Sequence, residues 1–316
     1  MFKIHPVVIS ILLFTLPLTT WADFTIQDAN GKVHVLENNK PVFTYNYDRV
    51  DPPESLGPDA DAYWRSSYLY PVYDTHGVNI TDDFPSDHYH HRGIFWSWPE
   101  CRVGDRTMDV WTLKGVRQVF EKWNVLKIEN NRATLSVQNV WRFDDDPTPV
   151  VRENVTIVTH AAVEDTRAID FILQFKNITK EIVTFQGATD KGYGGFKFRL
   201  DATQKPFTFN TDDGLQKRDT WHADSPWVDT LWTNSESKKI QGVAIFQHPD
   251  NPDYPHDGWM IRHYGIIGPA WPHEGSHKLQ PDESLTLKYR LLIHDGDTRS
   301  AGIGQAFDTY EKSARN

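Results

Sequence analysis

Cysteine is almost missing from this chain: Cys101 is the only one in 316 residues. One thiol closes no internal disulfide, so a disulfide-stapled scaffold is excluded, and Cys101 is expected to be packed instead of reactive. Long apolar runs are also missing beyond the first 22 residues, so no membrane span is expected in the rest of the chain. Positive charge is in deficit, with 33 Lys and Arg against 43 Asp and Glu and a formal charge of −10. Such a balance makes a poor partner for nucleic acid or anionic membranes. The sequence has no serine nucleophile elbow, paired-cysteine motif, HExxH or phosphate loop. It also has no repeat, low-complexity tract or linker-like shift in composition.

The opening MFKIHPVVISILLFTLPLTTWA puts Lys3 ahead of an apolar stretch and a small residue, Ala22, ahead of Asp23. Residues 1–22 are expected to be a secretory signal peptide, and the protein to be exported to the periplasm or secreted. Pro17 and the shortness of the run argue against a retained anchor. Residues 23–316 are then expected to form a single β-sandwich domain.

Turn residues and period-2 alternation dominate the chain beyond Ala22. Phe24–Asp28, Lys32–Glu37 and Val42–Tyr47 alternate, with Asn30-Gly31 and Asn38-Asn39 between them as hairpin signals. Asp51–Asp61 reads as a loop. Tyr68–Tyr73, Asp109–Leu113, Val116–Lys127, Arg132–Phe143 and Val150–His160 read as strands. The clearest alternation sets Ile169, Phe171, Leu173 and Phe175 against Asp170, Ile172, Gln174 and Lys176. Phe196, Phe198 and Leu200 repeat it, and Leu285 to Ile293 repeats it again. Val243–Phe246 reads as a buried strand. The only helical pattern is C-terminal, with Ile303, Phe307 and Tyr310 on one face. The expectation is an all-β fold, a large antiparallel β-sandwich with a short C-terminal helix.

One stretch concentrates chemistry. Thr81–Trp98, TDDFPSDHYHHRGIFWSW, delivers His88, His90, His91 and Arg92 from a turn-rich segment into an anchoring strand, Ile94–Trp98. In extended geometry His88 and His90 would point one way with Arg92, and His91 the other. Zinc held by His88 and His90 is conceivable because imidazole is a common ligand, yet the spacing fits no closed zinc motif and no third ligand is evident. No cofactor is therefore expected and any metal is left unassigned.

Further polar clusters lie beyond it. In Asp190-Lys191-Gly192-Tyr193-Gly194-Gly195 the glycines would let backbone approach a ligand, and Lys191 and Tyr193 suit proton transfer or anion binding. Lys197 and Arg199 come next. Trp221-His222-Ala223-Asp224 lies before Trp227 and reads either as a His–Asp pair or as a surface turn. His248 ends the strand at Val243–Phe246. Arg262 stands beside His263 and Tyr264, and either grips a carboxylate or serves a structural ion pair. Trp271-Pro272-His273 comes after these. Aromatic residues make up 13% of the chain, which supplies faces for sugar rings as well as core.

The segments DHYHHRGIFWSW, DKGYGGFKFR, GVAIFQHPDNP, RHYG and YRLLIHDGD together resemble an exported bacterial family labelled "methane oxygenase PmoA-like". A membrane monooxygenase subunit needs several spanning helices, so the family is taken without the activity in its label. The resemblance implies a supersandwich similar to galactose mutarotases and a glycan substrate. The family's polar motif positions here are His88, His90, His91, Arg92, Lys191, Tyr193, Arg199, His248 and Arg262.

Together these readings anticipate a carbohydrate-active enzyme performing acid–base β-elimination, as lyase or dehydratase, on uronic-acid-containing oligosaccharides. His88, His90, His91, Lys191 and Tyr193 would be catalytic. Arg92, Trp96, Trp98, Arg199, Trp227, His248 and Arg262 would bind substrate. The alternatives are a glycoside hydrolase drawing on Glu153, Asp190 and Asp224, and a non-catalytic glycan-binding protein. Convergence of the histidine loop with the Lys191–Tyr193 segment is the spatial requirement.

Overall fold

A computed structural model describes residues 22–57 and 62–315. The expected signal peptide and part of the loop expected at 51–61 lie outside the described residues.

Two nine-stranded antiparallel sheets face each other. The first runs, in spatial order, through Phe24–Ala29, Lys32–Glu37, Lys40–Asn46, Tyr68–Val72, Ile94–Ser97, Gly195–Arg199, Ile266–Pro269, Gly258–Arg262 and Thr220–His222. The second runs through Gly214–Gln216, Thr208–Thr211, Trp227–Thr233, Ile240–Gln247, Ser284–Asp295, Thr166–Asn177, Asp146–His160, Arg132–Phe143 and Val116–Glu129. A smaller sheet joins Ser276–Leu279, Val183–Gln186, Cys101–Val103 and Arg106–Met108. The expected antiparallel β-sandwich is the architecture found.

Alternation sets the layers. Ile169, Phe171, Leu173 and Phe175 are buried, and register pairs Phe171 with Ile157 and Tyr289, and Leu173 with Val155 and Leu287. These residues meet Trp96, Phe196, Phe198, Trp259 and Ile261 of the first sheet in one continuous core. Removing such apolar surface from water is the main stabilising term. The helix Ile303–Ala314 covers the outer face of the second sheet, where Ile303, Phe307 and Tyr310 pack on Trp227, Phe246 and Leu292. Among the described residues no helix is long and apolar enough to cross a membrane.

Side chains that alternate away from the core define the other face of the first sheet. Tyr68, Phe95, Lys197, Arg199, Met260, Arg262 and Ile266 lie there, and a smaller aromatic cluster grows on them. Asp109–Leu113, expected as a strand, is instead a turn closed by paired backbone bonds between Asp109 and Lys114. The Asp109 carboxylate captures the Thr112 amide at 2.9 Å, a side-chain bond that competes with extended pairing. That turn carries Trp111 over the face.

Candidate active site on the outer face of the first sheet

The histidine segment is a turn, not an extended strand. The His88 amide donates to the Pro85 carbonyl and the His91 amide to the His88 carbonyl, both at 2.9 Å. Residues three apart therefore meet, and the expected alternation of His88 and His90 against His91 fails. His88 and His91 stack with ring centroids 4.5 Å apart and planes 2° from parallel, while His90 lies edge-on 4.6 Å from His91. Gly93 releases the chain into the strand: a Cβ there would meet the Leu69 carbonyl oxygen at 2.3 Å.

Arg92, expected to bind substrate, is instead the anchor of this turn. It is fully buried and donates to the carbonyls of Tyr63, Tyr89 and His91. Its guanidinium lies 3.4 Å from the Phe84 ring centre, with Nε 3.5 Å from Asp83. Burial raises the Asp83 carboxyl to about 6 against the pull of Arg92. Arg65 does the same for the neighbouring turn, donating to the Val110 carbonyl. Burial lowers its pKa to about 9, with Arg92 adding to the shift.

Above these anchors the functional groups converge. Tyr264 stacks on His88 at 4.9 Å, and the Arg199 guanidinium lies 5.1 Å from the Tyr264 ring. Arg199 Nη2 donates to Asp87 Oδ1 at 2.9 Å, and among the described residues its buried Nε and Nη1 find no hydrogen-bond partner. Asp87 Oδ2 also approaches His88 Nδ1 to 3.1 Å, close but not aligned as a hydrogen bond. On the other side Trp111 lies 5.4 Å from His91 and 5.0 Å from Tyr193, and Tyr193 lies 5.6 Å from Trp221. Arg262 lies over Trp221 at 4.4 Å, with Asp219 3.4 Å from its Nε. A cleft of about 490 Å³ opens beside Asp87 and Arg199, with Asp82, Phe84 and Lys205 along it.

Burial keeps His90 and His91 neutral. Burial lowers His90 to about 3, and His88, Arg65, Arg92 and Arg199 add to the shift. His91 is lowered for the same first reason, with its neighbouring histidines next. Burial raises Tyr264 to about 12 and raises Tyr193 as well, so both phenols keep their protons at neutral pH. Burial pushes the Asp87 carboxyl up, but Arg199 and His88 outweigh it and the net shift is downward. Underneath, Lys197 is fully buried, donates to the carbonyls of Phe196, Gly268 and Pro269, and has its pKa driven well down by desolvation.

Tyr193, Arg199 and Arg262 thus join the histidine loop, as the sequence motifs require. Other expected residues do not. Lys191 is exposed at the preceding turn. Trp96 and Trp98 are fully buried between the sheets, where the Trp98 indole donates to the Trp271 carbonyl at 2.7 Å, so neither stacks on a ligand. Trp227 is sealed under the C-terminal helix. His248 lies on the outer face of the second sheet, 5.4 Å from Tyr310. The glycines after Lys191 serve internal packing: a Cβ on Gly192 would meet the His273 ring at 2.3 Å, and one on Gly195 the Pro269 carbonyl at 2.9 Å. Glu153 is fully buried and receives Gln118, Asn139 and Trp141, while Asp190 and Asp224 are exposed, so these three form no hydrolytic pair.

Trp111, Trp221, Tyr264, Asp87 and Lys197 complete the site. Trp111 was hidden by an apolar segment that mimics a strand. The Tyr264 signal was its place beside Arg262. Stacked rings carry their nitrogen lone pairs in parallel planes, and among the described residues His88, His90 and His91 do not form a group able to hold one ion.

Solved structures similar to this chain include a GH36 alpha-galactosidase, AgaA, from Geobacillus stearothermophilus in complex with raffinose. It is 11% identical at a TM-score of 0.38, over 88% of this chain and 42% of that one. A heparan sulfate lyase HepC mutant from Pedobacter heparinus is 9% identical at 0.38, over 87% and 35%. A galactose mutarotase related enzyme from Lactobacillus acidophilus is 8% identical at 0.36, over 86% and 97%. The chain thus spans about two fifths of the galactosidase and about a third of the lyase. No curated protein matches it. A family model described as "Family of unknown function (DUF6807)" matches residues 32–308, in place of the methane oxygenase label that the motifs suggested; the chain belongs to that family of unknown function.

Proposed function

We propose that the outer face of the first sheet binds an acidic oligosaccharide and cleaves it by β-elimination. The observation that carries this reading is the gathering, on one face, of the His88–His91 stack, Arg199, Arg262, Tyr193 and Tyr264 between two tryptophans. Trp221, partly exposed, offers a ring face to the apolar side of a sugar, and the buried Trp111 backs the histidines and Tyr193. The unpartnered N–H groups of Arg199, or the half-buried Arg262, receive the uronate carboxylate. Neutralising that carboxylate acidifies the adjacent C–H, because the electron pair left behind delocalises onto it.

His88 is the proposed base. It is the imidazole with a third of its side chain exposed, fixed by stacking against both Tyr264 and His91, with Asp87 at its edge. It takes the proton, the C–O bond at the β carbon breaks, and a double bond forms between the two carbons. Tyr193 or Tyr264, held protonated by burial, donates to the departing oxygen. Atoms and electrons balance without an oxidant or reductant. Export over residues 1–22 is proposed with this reading, since long acidic glycans lie outside the cytoplasm.

Incubation with uronate oligosaccharides, followed in the ultraviolet, is expected to show rising absorbance from the conjugated unsaturated product. New reducing ends with no absorbance gain would mean hydrolysis, and calorimetric binding with no product would mean a glycan-binding protein. Either result overturns elimination.

A further inference from the structure

We infer a divalent transition-metal site formed by His222, His273 and Glu274 at the rim of the same face. No step of the proposed elimination is routed through it. Each of the three residues contributes one ligand atom, and these atoms all lie within 4.8 Å of one another. His222 ends the edge strand Thr220–His222, and His273 and Glu274 occupy the turn after Trp271. The two imidazole centroids are 4.3 Å apart with planes at 70°, so in-plane lone pairs can converge, unlike those of the parallel His88–His91 pair.

The second contacts have the pattern of a metal ligand. His222 Nε2 lies 4.0 Å from Glu274 Oε1, while its other nitrogen, Nδ1, lies 3.8 Å from Asp257 Oδ2. The Asp257 carboxylate lies beyond hydrogen-bond distance here but near enough to accept from Nδ1 once an ion orients the ring, which would fix the tautomer and raise the basicity of the ligating nitrogen. His273 is 6% exposed, and its Nε2 has no hydrogen-bond partner among the described residues. A buried imidazole left unsatisfied is costly and points to a missing partner. Close packing against Gly192 and Gly258 fixes the ring.

Two imidazoles and one carboxylate suit zinc or a similar borderline cation better than calcium or magnesium, which favour oxygen. Three protein ligands leave a coordination position open. Trp221 precedes His222 and Tyr193 follows Gly192, so the site adjoins the aromatic wall of the candidate active site. Among the described residues the other group able to hold an ion, His76, Asp165 and Asp295, is engaged internally: His76 bonds Asp295 at 2.9 Å and Gln241 donates to the same carboxylate.

The test is titration of untagged, chelator-stripped protein with Zn²⁺ by calorimetry and with Co²⁺ by visible absorption. We expect a single Zn²⁺ equivalent and a Co²⁺ ligand-field band. His222→Ala should weaken binding by roughly 100-fold and Asp257→Asn by roughly tenfold, since outer carboxylates alone are worth that much. His222 and Asp257 are exposed, so both variants should fold. Asp295→Asn should bind as the parent does. Absence of stoichiometric binding, retention of full affinity by His222→Ala, or loss of affinity in Asp295→Asn would each overturn the assignment.

Discussion

His88→Ala is expected to lower turnover of a uronate oligosaccharide by roughly 10² to 10⁴ fold, the usual worth of a positioned general base. The size follows from its placement. His90 and His91 are neutral by burial and are hemmed in by Trp111 and Phe95, whereas His88 combines solvent access with a nearby carboxylate. Melting temperature should hardly change, because a third-exposed side chain leaves little unfilled space on removal. Asp87→Asn should give a smaller loss of turnover together with a raised KM, because Asp87 orders both His88 and Arg199. Steady-state kinetics checks both variants. Turnover of His88→Ala within about fivefold of the parent would remove His88 from the base role, since the smallest contribution expected of a base is ~10²-fold.

Glu153→Ala should act in the opposite way, costing about 3–5 kcal/mol of stability. Glu153 is fully buried in the core between the sheets and is the common acceptor for Gln118 Nε2 at 2.9 Å, Asn139 Nδ2 at 2.9 Å and the Trp141 indole at 2.6 Å. Asn139 in turn reaches the buried Tyr45 hydroxyl at 3.2 Å. Truncation leaves three buried donors unpaired, at roughly 1–3 kcal/mol each with partial relaxation. Glu153→Gln preserves the shape but turns an N–H₂ towards groups that themselves donate, so its loss should be intermediate. Denaturant unfolding measures both. Below its unfolding temperature the Gln variant should retain near-parental turnover; a stable but inactive Glu153→Gln would restore that residue to a catalytic role.

The long strands of the second sheet were legible because one face is core and the other is wet or only partly covered, so Ile169 to Phe175 alternates cleanly. Ile94–Ser97 is buried on both faces. In such a strand period 2 no longer tells the inner face from the outer. Trp96 therefore looked available when it lies in the core, and Phe95 is the residue that faces the site. Of the polar motif residues, Tyr193 was readable because it stands between two glycines, and Arg199 because it alternates with the apolar Phe198 and Leu200 and so turns away from the core. His248 had equally good motif credentials, but sequence does not encode which sheet a strand enters, and Ile240–Gln247 belongs to the second. Arg92 shows the same limit: a cation beside histidines reads as a ligand group until three carbonyls are found around it.

Solving the structure with an acidic oligosaccharide bound tests the central claim most directly. The account predicts a sugar ring against Trp221 or Tyr264, its carboxylate within hydrogen-bond distance of Arg199 or Arg262, and a ring C–H facing His88. A sugar seated instead beside His248 and Tyr310, on the far side of the second sheet, would contradict it.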